Sequence, residues 1–187
     1  MSCFVAHLSI RPTREWQDEI ERALFSMDAL IALLTKDFQK SNWTDQEISI
    51  ALGRKVPVIP LKIEKSPYGF IGKIQAIHYS WEDSATKIIK HLMKYDKMVD
   101  AYLHAVYHCP TFENGLKLAG ILPFVERLSD SQVELLIAAF NQNTQVSGCW
   151  SFSGASKYGK GLIYHLNRLT VKFYDLSHDE KIVLSQG

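Results

Sequence analysis

Cysteine is scarce in this 187-residue chain. The three present, Cys3, Cys109 and Cys149, are odd in number and follow no spacing pattern. That argues against a disulfide framework and a cysteine-built zinc site, and it fits a reducing compartment. Long apolar runs are also lacking; none approaches the roughly 20 residues that a membrane-spanning helix needs. The N-terminus has no basic segment leading into an apolar core, so no secretory leader is expected. Nor is there an excess of one charge. Lys plus Arg number 21 and Asp plus Glu 20, giving a net charge of +1. Bulk electrostatics therefore offer no reason to expect binding to nucleic acid or to an acidic membrane. What remains is 47% hydrophobic and 22% charged, an ordinary globular composition. The expectation is a soluble cytoplasmic protein of one domain or two small ones, with neither membrane nor nucleic acid among its partners.

The apolar pattern of the first half alternates between short continuous runs and helical spacing. Cys3 to His7 reads as a buried strand, and Leu8 to Pro12 as a loop. Thr13 is a good N-cap for a helix with Trp16, Ile20, Ala23, Leu24 and Met27 on one face. Ala29 to Leu34 is apolar without alternation, which suits a parallel strand covered on both faces. Val56 to Ile63 is rich in β-branched residues, and Pro57 and Pro60 place it near a sheet edge or at strand ends. Lys65 to Gly72 is a loop by its Pro and Gly content. Ile74 to Tyr79 is a candidate final strand. Asp83 or Ser84 would cap a helix with Ile88, Ile89, Leu92 and Met93 facing inward. Strands alternating with helices predict a doubly wound parallel sheet.

Between two of those strands lies Ser41 to Gly53. Ser41 or Asn42 can accept a hydrogen bond from a first-turn N–H, and Gly53 is a plausible stop. Trp43 and Glu47 are four apart and share one helical face, while Ile48, Ala51 and Leu52 form an apolar stripe. A carboxylate and a large aromatic are thus paired at the carboxyl end of a parallel strand, where such folds place ligands. Taken singly, Trp43 reads as packing and Glu47 as a solvated helix acid. Asp45 reads as an exposed acid favoured by the helix dipole.

Several segments, in order, resemble a TIR domain of the bacterial kind. Phe4-Val5-Ala6-His7 with Ile10-Arg11-Pro12 matches the second strand and the BB loop, and Glu15 to Ile20 the helix after it. Asp28 to Thr35 matches the third strand, and Ser41-x-Trp43-x-x-x-Glu47 the signature of the next helix. Gly53 to Pro60 and Pro67-Tyr68-Gly69-Phe70-Ile71-Gly72 complete the series. The resemblance implies a flavodoxin-like α/β fold over residues 1–95 and cleavage of NAD+ at the nicotinamide–ribose bond. It puts the catalytic glutamate at Glu47 and its aromatic neighbour at Trp43. Ser9 and Arg11 fall in the loop bordering the substrate pocket. It implies no cofactor and no metal, NAD+ being substrate, and self-association through TIR surfaces.

A complete TIR domain starts with a strand and helix ahead of the segment matching Phe4, so the resemblance implies that this first strand and helix are missing. A start internal to a longer gene product, a strand donated by a partner chain, and closure of the remaining strands are the three explanations, the first being favoured. Residues 96–187 read as a mainly helical module, similar to extensions that follow TIR domains in bacterial proteins of antiphage defence. Its clearest local signal is the capping box Ser129-Asp130-Ser131-Gln132. Val171 to Tyr174 reads as a short strand-like tail.

Other candidates carry less. His104 and His108 have the spacing of a helical metal pair, without further ligands nearby in the pattern. Lys157, Lys160 and Arg168 flank a Gly-rich turn, but Gly159-Lys160-Gly161 lacks the spacing of a phosphate-binding P-loop. Asn141 to Gln145 reads as a helix end and loop, with a ligand-recognition or interface patch as the alternative. Two functions are therefore expected: an NAD+ glycohydrolase or cyclase acting as a signalling or defence effector, or a non-catalytic module that works by assembly.

Overall fold

The computed structural model describes Val5 and residues 16–41, 43–154 and 161–185. The sequence-based readings at residues 6–15, Asn42 and residues 155–160 lie outside these; so does the candidate strand at Cys3 to His7, apart from Val5. Contacts divide the chain into two compact units, one ending at Leu92 and the other beginning at Met93.

The first unit runs α1 (Trp16–Ser26), β1 (Leu30–Leu34), a 3-10 turn (Phe38–Lys40), α2 (Thr44–Gly53), β2 (Val58–Lys62), a 3-10 turn (Gly69–Ile71), β3 (Ile77–His78) and α3 (Ser84–Leu92). The three strands form one parallel sheet in the order β1-β2-β3. Helix α2 is the crossover between β1 and β2, as parallel pairing requires. Ile48 and Ala51 on α2 are buried with Ala32 and Leu34 of β1, Val58 of β2 and Ile71, and Leu52 and Val56 pack against this cluster.

Three expectations change. Burial along β1 alternates: Ala32 and Leu34 are buried, whereas Ile31 and Leu33 are 36% and 49% exposed. The apolar run is thus covered on the α2 face, while the other face is shielded only farther across the sheet, at Ile59 and Leu61. Second, β2 is the central strand although Pro60 lies inside it. Register explains why this is tolerated. The Leu30 N–H donates to the Pro57 carbonyl and the Tyr79 N–H to the Lys62 carbonyl. Alternation along a parallel strand then turns Pro60 toward β3, whose pairing begins only at Leu61 with Ile77. The missing N–H costs no ladder bond. Third, α2 ends differently from the expected glycine stop.

Gly53 is the last helical residue of α2, and it is Lys55 that takes the left-handed conformation, at φ 57°. The Lys55 N–H donates to the Leu52 carbonyl and the Val56 N–H to the Ala51 carbonyl. Those two bonds define a Schellman motif with a lysine where glycine is favoured. Next to it, Arg54 Nη1 donates to the carbonyls of Leu24 at 2.6 Å and Met27 at 2.9 Å. A cation thus satisfies orphan carbonyls at the C-terminal end of α1, where the helix dipole favours it.

The second unit contains α4 (Asp96–Tyr107), α5 (Phe112–Ala119), a 3-10 turn (Leu122–Phe124), α6 (Asp130–Gln142), α7 (Thr144–Ser147), α8 (Trp150–Ser153), α9 (Leu162–Leu169) and the antiparallel pair β4 (Tyr174–Leu176) and β5 (Ile182–Leu184). Helices α4 and α6 pack against each other, and Val99, Tyr102, Leu103, Val133, Leu136 and Phe140 on them are buried. The capping box at Ser129 and Gln132 forms in full. Asn143 ends α6 and caps α7, and its Nδ2 holds the carbonyls of Tyr107 and Cys109. The helix end expected at Asn141 to Gln145 is present at Gln142, and the expected loop is a joint at Asn143 between two helices. The strand-like tail expected at Val171 to Tyr174 overlaps β4 only at Tyr174, and β4 pairs with β5, which Asn141 grips by two hydrogen bonds to the backbone of Ile182. The expected loop from Gly148 includes α8.

Two stability changes follow. Lys55→Gly is expected to raise the melting temperature, by the equivalent of about 0.5–1 kcal/mol, because it relieves a left-handed L-residue. Arg54→Ala is expected to lower stability by roughly 1–3 kcal/mol, through carbonyls left without their charged donor. Arg54→Lys should recover only part of that loss, since one ammonium cannot reproduce the guanidinium fork. Thermal denaturation followed by circular dichroism reads all three.

Candidate functional site

The site is built on the first turns of α2, at the carboxyl ends of β1 and β2. The Ser41 Oγ accepts the Trp43 N–H at 3.3 Å, a turn-forming bond one step before the helix. The helix then starts at Thr44 with Trp43 as its N-cap residue. Serine is thus present as expected, but it closes the preceding turn rather than capping the helix. The Trp43 carbonyl accepts the Glu47 N–H at 2.9 Å, the first regular helical bond.

Helical geometry places Trp43, Glu47 and Ala51 in one column. Ala51 is fully buried, and Glu47 and Trp43 are each half-buried. The column therefore runs from the core outward, with the carboxylate in the middle. Glu47 is about 100° around the helix from buried Ile48, at the margin of the apolar stripe. Burial pushes the Glu47 carboxyl above the ordinary glutamate range. Among the described residues, no hydrogen bond or ion pair holds that carboxylate. An acid desolvated without a partner is what a functional site tolerates and a purely structural one avoids.

Residues from two loops surround the start of α2. Thr44 Oγ1 donates to the Phe38 carbonyl at 2.8 Å and stands 3.1 Å from the Ser41 carbonyl. The Tyr68 hydroxyl donates to Asp45 Oδ1 at 2.7 Å, and its ring meets Phe38 edge-to-face at 6.2 Å. Burial, followed by the Asp45 hydrogen bond, raises the Tyr68 phenol above its ordinary value. The loops after β1 and β2 are tied directly as well. Glu64 Oε2 accepts the Lys36 N–H at 2.7 Å, while the N–H groups of Glu64 and Lys65 converge on the Leu34 carbonyl.

The family model described as "TIR domain" matches residues 1–93. This part of the chain is a TIR-domain segment. It accounts for just under half of the sequence. Comparison with curated proteins and with solved structures gives no significant match. The parallel sheet with its helices fits the α/β fold of a TIR domain.

Of the four residues expected at the site of the TIR segment, Trp43 and Glu47 stand one turn apart. Ser9 and Arg11 lie outside the described residues. Sequence pattern does not single out Tyr68, Thr44 or Phe38 as site residues; Asp45 is exposed, as expected, and also accepts the Tyr68 hydroxyl. Asp45 and Tyr68 are 23 residues apart, so no local periodicity could join them. Elsewhere, the rings of His104 and His108 stack at 6.4 Å. No group of three or more His, Cys, Asp or Glu able to hold a metal occurs among the described residues. Arg168, a candidate phosphate contact, donates to the Val125 carbonyl at 2.8 Å. No helix is long and apolar enough to cross a membrane among the described residues.

The raised carboxyl has a thermodynamic consequence. A carboxyl whose folded pKa lies above its unfolded value binds more protons in the folded state, so its penalty appears as pH rises through that pKa. Glu47→Gln is therefore expected to raise the melting temperature at pH 7.5, and the gain should vanish below the unfolded carboxyl value of about 4.3. Melting curves at both pH values check the sign.

Proposed function

We propose that the TIR segment cleaves NAD+ at the nicotinamide–ribose bond, as a glycohydrolase or cyclase serving a signalling or antiphage defence role. The observation that carries this reading is the half-buried, unpartnered Glu47 one turn from Trp43. When the C1′–N bond breaks, nicotinamide leaves with both bonding electrons, and C1′ becomes an oxocarbenium ion. A fixed carboxylate stabilises that charge where it develops, and it does so more strongly in a partly desolvated setting. Water then adds to C1′ and releases a proton, which yields ADP-ribose; capture by a nucleophile of the same molecule yields a cyclic product instead. In this reading Trp43 walls the site with an apolar surface.

A second reading has an observation of its own. The sheet face opposite α2 exposes Ile31 and Leu33 of β1, and Ile63 and Tyr79, just beyond β2 and β3, are exposed as well. A row of exposed apolar side chains on a sheet is suited to association between domains. A TIR segment that only assembles with others, without cleaving anything, would use such a face and leave Glu47 idle.

Purified protein at high concentration, incubated with NAD+ and followed by nicotinamide release, separates the two. The enzyme reading expects release by the parent protein and a loss on the order of 10²- to 10³-fold in kcat for Glu47→Ala. Equal release by both proteins, or none by either, contradicts it. The pH profile adds a check. Activity should fall as Glu47 protonates, with the acid limb of kcat/KM centred above the ordinary glutamate range.

A further inference from the structure

We propose that Tyr68 and Asp45 form a positioning pair for the turn that carries Trp43 and Glu47. The inference rests on the reading of the TIR segment as NAD+-cleaving, and it identifies residues on which that chemistry depends without touching the substrate.

Asp45 is itself unsuited to act on the ligand held by Glu47. The two acids are two residues apart, which turns their side chains roughly 160° from one another around the helix. Asp45 is exposed, and the described geometry gives its carboxylate one strong contact, the Tyr68 hydroxyl at 2.7 Å. Tyr68 belongs to the loop after β2, whereas Phe38, which its ring meets, belongs to the turn after β1. The Phe38 carbonyl is in turn held by Thr44, the residue between Trp43 and Asp45. Phe38, Thr44, Asp45 and Tyr68 thus close a ring of contacts drawn from three segments. That ring runs through the Thr44–Asp45 peptide and ties the first helical turn to the segments after β1 and β2. Glu47 is bonded into the same turn through the Trp43 carbonyl. Its carboxylate has no hydrogen bond of its own to orient it among the described residues. Its placement therefore depends on how firmly that turn is held. Positional errors near 1 Å are enough to cost large factors in rate.

The pair predicts a pattern that general damage to the fold does not. Tyr68→Phe keeps the ring against Phe38 and removes the hydroxyl alone. Asp45→Ala removes the acceptor alone, while Asp45→Asn keeps an oxygen able to accept the same bond. Steady-state NAD+ cleavage should show kcat falling roughly 10-fold in Tyr68→Phe and in Asp45→Ala, with KM little changed. Asp45→Asn should stay near the parent, and the double variant Tyr68→Phe/Asp45→Ala should be no slower than either single one. The indole N–H signal of Trp43, assigned by its loss in Trp43→Phe, should shift in Tyr68→Phe without any substrate. Parent-like kcat in Tyr68→Phe overturns the proposal, as do multiplying losses in the double variant or an effect confined to KM. A parent protein that releases no nicotinamide defeats the NAD+ reading and, with it, the catalytic role of the pair; the indole signal then shows separately whether Tyr68 holds the turn.

Discussion

The structure of the TIR segment depends on one packing constraint, the burial of the Ile48–Ala51 side of α2 against β1 and β2. A parallel pair of strands needs a crossover, and α2 supplies it while covering Ala32, Leu34 and Val58. Once Ala51 is locked in the core, helical geometry leaves no freedom for the residues four and eight positions before it. Glu47 must lie at the boundary between core and solvent, and Trp43 one turn nearer the rim. The acid is half-desolvated because the helix packs as it does. Its perturbed titration follows from the fold and requires no special neighbour.

The same constraint explains where the polar contacts gather. Both ends of α2 are clamped to other segments. At its start, Thr44 and Asp45 engage the turn after β1 and the loop after β2. At its end, Arg54 holds the carbonyls that close α1, and Lys55 completes the Schellman turn despite the strain of its backbone. A helix fixed at both ends can present a carboxylate at a constant height without an ion pair to it. Under the proposed NAD+ cleavage, such an ion pair would lower the energy of the charged acid and blunt its interaction with a cationic transition state. The arrangement trades local stability for an acid kept available, a balance common at functional sites.

Much of this was legible in the sequence, and the failures are instructive. The Trp43-x-x-x-Glu47 spacing placed both residues on one helical face because helical periodicity is local. The capping box at Ser129 was readable for the same reason. Pro57 and Pro60 pointed to a sheet edge or to strand ends at Val56 to Ile63; Pro57 does lie just before β2, and only the register against β3 reveals that Pro60 turns its nitrogen where no ladder bond is needed. The uniform apolarity of Ala29 to Leu34 suggested coverage on both faces, but apolar composition does not say which face a single crossover helix will cover. Gly53 looked like a stop because glycine favours left-handed backbone; Lys55 took that conformation, since the turn is fixed by where Val56 must re-enter the core. Tyr68 and Asp45 meet across 23 residues, and β5 meets β4 across a turn with no strong hairpin signal. Contacts of that range are set by tertiary packing, which periodicity does not encode.

The central claim is that Glu47 is a desolvated carboxylate held by its helix rather than by a partner. Its titration tests this most directly. Carbon-13 NMR of the side-chain carboxyl, assigned by its absence in Glu47→Gln, gives the midpoint in the folded protein without reference to any substrate. The account predicts a midpoint above the ordinary glutamate value of about 4.3. A midpoint at or below that value would mean that solvent or a cation reaches the carboxylate, and the account would be contradicted.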